Sequence, residues 1–315
     1  MNNIALIIGD RGQDGTLLRE SLGKQGFQIF GVNREYLIMP DTSVTKFNFD
    51  QMEALIQSFR PCEIYYLPAH HVSSEENGGA ISPSDYEAYH KVHVTGLLIT
   101  LWAVIKYSPS SRIFYAGSSL IYSGIDGPIQ NENTPFTPVG YYGLTKAQGI
   151  FICREFRERY GLYTACGILY NHESVLRSEK FLSKKLIASA HKISLGLQHD
   201  LTLGSLSSET DWGYAPDYVE SFQRILRTEF PDDYVIATGE SHSVAEFAQI
   251  VFDCFDLNYL DFVREDNKIL GRKLLRKVGD SSKLKRITGW RPSYSFQTMV
   301  QKLVSEYLER QSVYP

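Results

Sequence analysis

The segment ALIIGDRGQDG, residues 5–15, constrains the fold more than any other part of this chain. An apolar run, Ile4 to Ile8, passes directly into Gly9, Gly12 and Gly15, and a helical pattern follows from about Thr16 to Gln25. A tight turn needs glycine, and a pyrophosphate approaches a backbone closely only where no Cβ intervenes. The helix N-terminus then offers unsatisfied N–H groups and the positive end of its dipole to the phosphates. Glycine spacing alone also fits an ordinary strand–helix turn. The strand before it and the helix after it point to a dinucleotide, with Gln13 and Asp14 beside the cofactor.

The same alternation continues downstream. Apolar runs at Phe27 to Val32, Ile64 to Leu67 and from Arg112 are separated by amphipathic stretches. Buried strands alternating with helices predict a doubly wound parallel α/β sheet of the Rossmann kind, covered on both faces. A helix near Phe181 to Leu195, a new strand–helix rhythm from YVIATG and a final helix near Ser295 to Arg310 predict a smaller α/β lobe for substrate. The expected division is 1–170, with a returning segment near 209–237, for the dinucleotide domain. Residues 171–208 and 238–315 then form the lobe. A net charge of -4 argues against nucleic acid or an anionic membrane as partner. The four cysteines match no zinc or disulfide spacing, so a cytoplasmic protein with reduced thiols and no metal is expected.

Which dinucleotide binds turns on the end of the second strand, GVNRE. A carboxylate there would hold the ribose hydroxyl of NAD. Asn33 and Arg34 stand in that place, and an arginine suits the 2′-phosphate of NADP. Glu35 is the competing candidate and favours NAD. Asp50 is expected near the adenine or as the N-cap of the next helix. Leu67 and Ala69, at the end of the third strand, complete the cofactor contacts.

Tyr142 and Lys146 form YxxxK in YYGLTK. Residues four apart share one helix face. An ammonium there lowers a phenol's pKa, and the phenol can exchange a proton with a sugar hydroxyl while hydride moves to or from a nicotinamide. The strand ending in Gly117-Ser118-Ser119 supplies a hydroxyl for the reacting oxygen. Ser119 is the first candidate and Ser118 the second.

With these residues in view, the chain resembles the GDP-mannose 4,6-dehydratase family of extended short-chain dehydrogenases/reductases. The resemblance rests on ALIIGDRGQDG, NENTPFTPVGYYGLTK, GILYNHES, LGSLSSETDWGYAPDYVES, YVIATGESHSVAEFA and GDSSKLKRITGWRP. It implies a GDP-linked sugar between the lobes, a tightly held NADP, and a homodimer or homotetramer formed through the helices beside Tyr142. It also implies a closed redox cycle of C4 oxidation, elimination of water across C5 and C6, and hydride return at C6. By similarity, Tyr142 is the base at C4 and Ser119 replaces the family's threonine. His172 joins the cofactor contacts. Ser118, Asn171, Lys185 and Arg272 or Arg276 contact the substrate.

The chain also departs from the family. The family's glutamate, which moves protons at C5 and C6, aligns with Ile121, or with Leu120 if the register slips by one. Thr210 replaces an arginine, Ala245 another, and Lys273 and Leu275 replace acids. His93 stands where relatives carry Asn or Asp, and Pro68 replaces a small residue. Asp85, Glu132 and His71 are candidate replacement acids. Three functions follow: C4-only oxidation, reduction or epimerisation; a dehydratase with a substitute acid; or a cofactor-binding regulator without turnover.

Overall fold

The apolar runs of the sequence form parallel strands. The computed structural model describes residues 3–313 apart from 34, 42, 47, 70–81, 124–128, 267 and 269–275. Its main sheet contains β1 (Ile4–Ile8), β2 (Gln28–Val32), β3 (Tyr36–Ile38), β4 (Val44–Lys46), β5 (Glu63–Tyr66), β6 (Arg112–Ala116), β7 (Tyr163–Leu169) and β12 (Asp233–Ile236). Their order across the sheet is β12-β7-β6-β5-β1-β2-β3-β4. The first six are parallel, and β3 and β4 add an antiparallel edge. Three ribbons pair β8 (Asn171–Glu173) with β11 (Trp212–Tyr214), β9 (Leu201–Leu203) with β14 (Val263–Glu265), and β10 (Glu209–Thr210) with β13 (His242–Ser243). From β1 the chain goes first to β2 on one side and later to β5 on the other. That reversal opens a crevice at the carboxyl ends of β1 and β5, where open α/β sheets take ligands.

Helices cover both faces. On one lie α1 (Gln13–Lys24), α7 (Ala215–Leu226) and α10 (Ser282–Thr288), burying Leu18, Leu22, Phe222, Ile225 and Leu284. Phe222 stacks on Phe114 of β6 at 4.3 Å. On the other lie α2 (Met52–Phe59), α4 (Gly96–Tyr107) and α5 (Tyr141–Tyr160), burying Ile56, Leu101, Val104 and Ile150. The continuous helical stretch Pro83–Tyr107 is long and apolar enough to cross a bilayer. Its Leu97, Leu101 and Val104 are instead buried in the core beneath the sheet. It comprises α3 (Pro83–His90), a π turn at Lys91–Thr95, and α4. Tyr66, on β5, donates its hydroxyl to the Val92 carbonyl in that turn at 2.6 Å.

A third core joins α6 (Leu182–Ser194), α8 (Val244–Asp253), the short α9 (Tyr259–Phe262) and α11 (Phe296–Val313). The lobes interleave more than the sequence division expects. Trp212, in the returning segment, is buried in this third core. Leu284 and Trp290, assigned to the lobe by sequence, are buried against the main sheet. Both exchanges follow from side-chain size: a large apolar side chain goes to whichever core faces it, whatever its neighbours in sequence do.

Asp211 fastens the crossing. Its buried carboxylate accepts from Thr238 N and Oγ1, Gly239 N and Gly279 N. Burial nevertheless holds its pKa above the ordinary value, despite those bonds. Asp211→Asn keeps the volume but turns an amide N–H₂ towards donors. It is expected to destabilise the protein by about 3 kcal/mol, read as a lower urea midpoint with an unchanged slope.

Candidate active site

The glycine turn sits at the mouth of the crevice. Gly9 has φ +90°, a left-handed conformation that favours glycine, and a Cβ there would lie 3.0 Å from Pro68 N. A Cβ on Gly15 would come within 2.4 Å of Gly9 O, so the first turn of α1 packs directly on the strand exit. The helix starts three residues earlier than the sequence pattern suggests, at Gln13, with Gly12 as N-cap and no side-chain cap. Its first N–H groups are therefore presented at the crevice by a residue without a side chain.

The residues that open α1 are tied to the strand after β7. Gln13 donates to His172 O at 3.2 Å and accepts from Ser174 Oγ at 2.8 Å. Asp14 meets His172 Nε2 at 3.1 Å, and Nδ1 of the same ring lies 2.8 Å from Tyr170 O. The His172 ring stacks on Tyr218 at 4.6 Å. Burial opposes both charges, yet the pair outweighs it: Asp14 titrates below 3.8 and His172 above 6.5, their ordinary values.

Tyr142 and Lys146 open α5 side by side. Lys146 is 1% exposed and donates to Ala116 O at 2.7 Å and Pro68 O at 3.2 Å. Burial lowers its pKa to about 7, with Asp14 opposing. Burial raises that of Tyr142 to about 12, against a hydrogen bond from Ser118 and the charge of Arg177. The lowered phenol pKa expected from the sequence is thus reversed in the free protein. Desolvation dominates both groups, so the ammonium is itself weakened.

Comparison with known proteins adds the family. The sequence matches the description "GDP-mannose 4,6 dehydratase" over residues 6–303. The chain belongs to the GDP-mannose 4,6-dehydratase family. It is 35% identical to GDP-mannose 4,6 dehydratase 2 of Arabidopsis thaliana over 97% of this chain and 87% of the relative. Its fold matches dTDP-glucose 4,6-dehydratase of Bacillus anthracis, solved with NAD, at TM-score 0.79 and 17% identity, covering 98% and 97% of the two chains. It matches RMD from Pseudomonas aeruginosa, complexed with NADPH, at TM-score 0.79 and 17% identity, covering 97% and 99%.

The structure separates the two candidate serines, and Leu120 from Ile121. Ser118, not Ser119, is hydrogen-bonded to Tyr142. Ser118 is extended and caps the 3₁₀ turn Ser119–Tyr122, accepting from Leu120 N, while Ser119 is buried as the first residue of that turn. Ile121 is 0% exposed inside the core under α5, whereas Leu120 is 7% exposed and lies outside that cluster. The turn is held close to α5, because a Cβ on Gly143 would meet Leu120 O at 2.6 Å.

Other expected residues are spread more widely. Leu67, at the end of β5, bonds through its N–H to Ile8 O at the crevice, and Ala69 is exposed just beyond. Asn33 caps the turn after β2, accepting from Glu35 N and Tyr36 N. Arg34 and Arg272 lie outside the described residues, as does His71. Asp50 is not an N-cap: Asn48 caps that turn and donates to Asp50 at 2.9 Å. Asn171 is exposed at the start of β8. Lys185 donates to Thr202 O, and Arg276 pairs with Glu209 and Ser241 in the lobe. Sequence reasoning missed Arg177. It pairs with Glu173 at 3.1 Å, lies over Phe181 at 4.0 Å, and its charge reaches Tyr142, Asp14 and His172. Its signal was its place four residues beyond Glu173, on the same run as NHES.

The Asp14–His172 pair makes a pH prediction. The lowered Asp14 contributes stability above 3.8 that is lost as pH falls through its folded pKa. The raised His172 contributes stability below 6.5 that is lost as pH rises through its folded pKa. The urea-midpoint difference between wild type and Asp14→Asn is therefore expected to peak near about pH 5 and shrink on either side.

Proposed function

We propose that this protein uses NADP to carry out C4 oxidation or reduction of a GDP-linked sugar, as a 4-dehydrogenase, 4-ketoreductase or epimerase, without the dehydration its family is named for. The observation that carries this is a divided site. Ser118, Tyr142 and Lys146 are together, while Leu120 occupies the position we assign to the family's glutamate. An aliphatic side chain moves no proton, and general acid–base help is worth about 10²–10⁴ in rate. Two of the candidate substitutes are committed elsewhere. Asp85 closes the capping box of α3, accepting from Ser82 N at 2.9 Å. Glu132 accepts from Val235 N at 2.8 Å at the sheet edge.

Gly9 and Gly15 allow the tight turn between β1 and α1, and α1 starts without a side-chain cap, which supports a dinucleotide's phosphates at its first N–H groups. Gly12, Gln13, Asp14 and His172 line the pyrophosphate side, and Leu67 and Ala69 the strand end beyond. Arg34 favours NADP over NAD. The bound nicotinamide supplies or accepts the C4 hydride. Tyr142 takes the proton of the C4 hydroxyl, and Ser118 holds the same oxygen. Lys146 stands over the Tyr142 ring at 5.9 Å, where its ammonium favours the phenolate. Asn171, Lys185 and Arg276 contact the nucleotide phosphates. The molecule pairs with a second copy through α4 and α5, which expose Trp102, Leu144 and Phe151.

The deciding assay incubates the protein with GDP-mannose and NADP and follows nicotinamide absorbance and product mass together. A product lighter by two hydrogens with stoichiometric reduced cofactor supports C4 oxidation, and an isobaric product with a new retention time supports epimerisation. Loss of water with no lasting absorbance change overturns the proposal. Leu120→Glu is expected to gain dehydration, whereas Ile121→Glu only destabilises the core.

The two serines separate in the same assay. Ser118→Ala should lower kcat by about 10²-fold, and Ser119→Ala by only a few-fold. The reverse pattern would return the role to Ser119.

A further inference from the structure

A fully buried histidine lies against the Tyr142 ring from a second helix. His93 is 0% exposed on the π turn Lys91–Thr95 between α3 and α4. A π turn carries one more residue than an α turn, which rotates the side chains that follow it and is common beside functional groups. This one is anchored by the Tyr66 hydroxyl on Val92 O. It directs His93 at α5, where Nδ1 lies 2.7 Å from Thr145 Oγ1.

The direction of that bond follows from the donors present. Thr145 has one hydroxyl proton, and Oγ1 lies 2.8 Å from Tyr141 O and 3.2 Å from Tyr142 O. Carbonyls only accept, so the proton goes to them and Oγ1 accepts from His93. With that proton donated to a carbonyl, Nδ1 carries a hydrogen. The His93 ring stands at 90° to the Tyr142 ring, 5.3 Å away, and Tyr89 stands at 81° to it, 6.3 Å away. Edge-to-face contacts of this kind favour one ring orientation.

We propose that His93 is a positioning residue for Tyr142. Its bond to Thr145 ties the first turn of α5 to the π turn, and its ring holds the phenol turned to Ser118. This rests on Tyr142 being the proton-transfer group. It assigns the His that replaces the family's Asn or Asp a task in orienting α5. A small misplacement of a reacting group costs about 10²-fold in rate.

The test pairs kinetics with a direct view of the ring. His93→Leu removes the Nδ1 donor, His93→Asn restores a donor near its place, and Thr145→Val removes the acceptor. His93→Leu and Thr145→Val are each expected to lower kcat by about 10²-fold with an unchanged sugar-nucleotide KM. The double variant should fall no further, because both break one bond, and His93→Asn should recover most of the loss. With 3-fluorotyrosine at position 142, the wild type should give one ¹⁹F signal, and His93→Leu and Thr145→Val two exchanging ones. Identical ¹⁹F spectra, multiplying losses in the double variant, or a loss confined to thermal stability overturns the proposal. If His93→Leu does not fold, Thr145→Val reads the same bond. Tyr142→Phe separates the two claims: retained turnover sinks the role of Tyr142, while lost turnover with normal His93→Leu kinetics and spectra sinks only the positioning.

Discussion

The buried ammonium of Lys146 is the interaction around which the site is organised. Its bonds to Ala116 O and Pro68 O hold the start of α5 against the exits of β6 and β5. Charge taken out of water is costly, and those carbonyls compensate only in part, which is why its pKa falls to about 7. The same fixation puts Tyr142 one helical turn away, beside Ser118, and brings Gly143 onto the Leu120 carbonyl. Pro68 serves both ends of this arrangement. It accepts from Lys146 and also crowds Gly9, so the glycine turn and the start of α5 lean on one residue.

A second network joins the crevice to the other lobe. Gln13 and Asp14 start α1, His172 and Ser174 follow β7, and Arg177 leads towards α6. The acid and the histidine hold each other charged against burial. Any rearrangement of the strand after β7 must therefore move charge next to Tyr142. The start of α1 and the strand after β7 are joined by these hydrogen bonds.

Much of this was legible in the sequence. The glycine turn, the alternation of strands and the YxxxK pair each depend on local spacing, and local spacing survives folding. The choice between Ser118 and Ser119 does not. It depends on how far β6 runs before the 3₁₀ turn begins, and one residue decides which hydroxyl faces the phenol. The same turn separates Ile121, buried in the core under α5, from Leu120, which lies outside that cluster, because adjacent side chains on a tight turn point to different places. Trp212, Leu284 and Trp290 eluded the domain reading for another reason. A sequence shows that a side chain is apolar but not which of three cores will receive it. Arg177 was passed over because a charge after a motif reads as surface until its partners, Glu173 and Phe181, are seen.

Burial displaces Tyr142 and Lys146 in opposite directions, each toward its neutral form. A phenol near 12 gives up its proton reluctantly, and an amine near 7 is a weak source of positive charge. Both displacements come from burial, so both respond to any charge brought into the crevice. The phosphates of a dinucleotide bound at α1 would favour the ammonium of Lys146, and a charged Lys146 would in turn favour the phenolate of Tyr142. Charge brought to the glycine turn would therefore oppose the effect of burial on both groups. That logic requires Ser118, Tyr142, Lys146 and the turn, and it requires nothing at position 120. Leu120 carries no titratable group, so its side chain leaves the electrostatics of Tyr142 and Lys146 untouched.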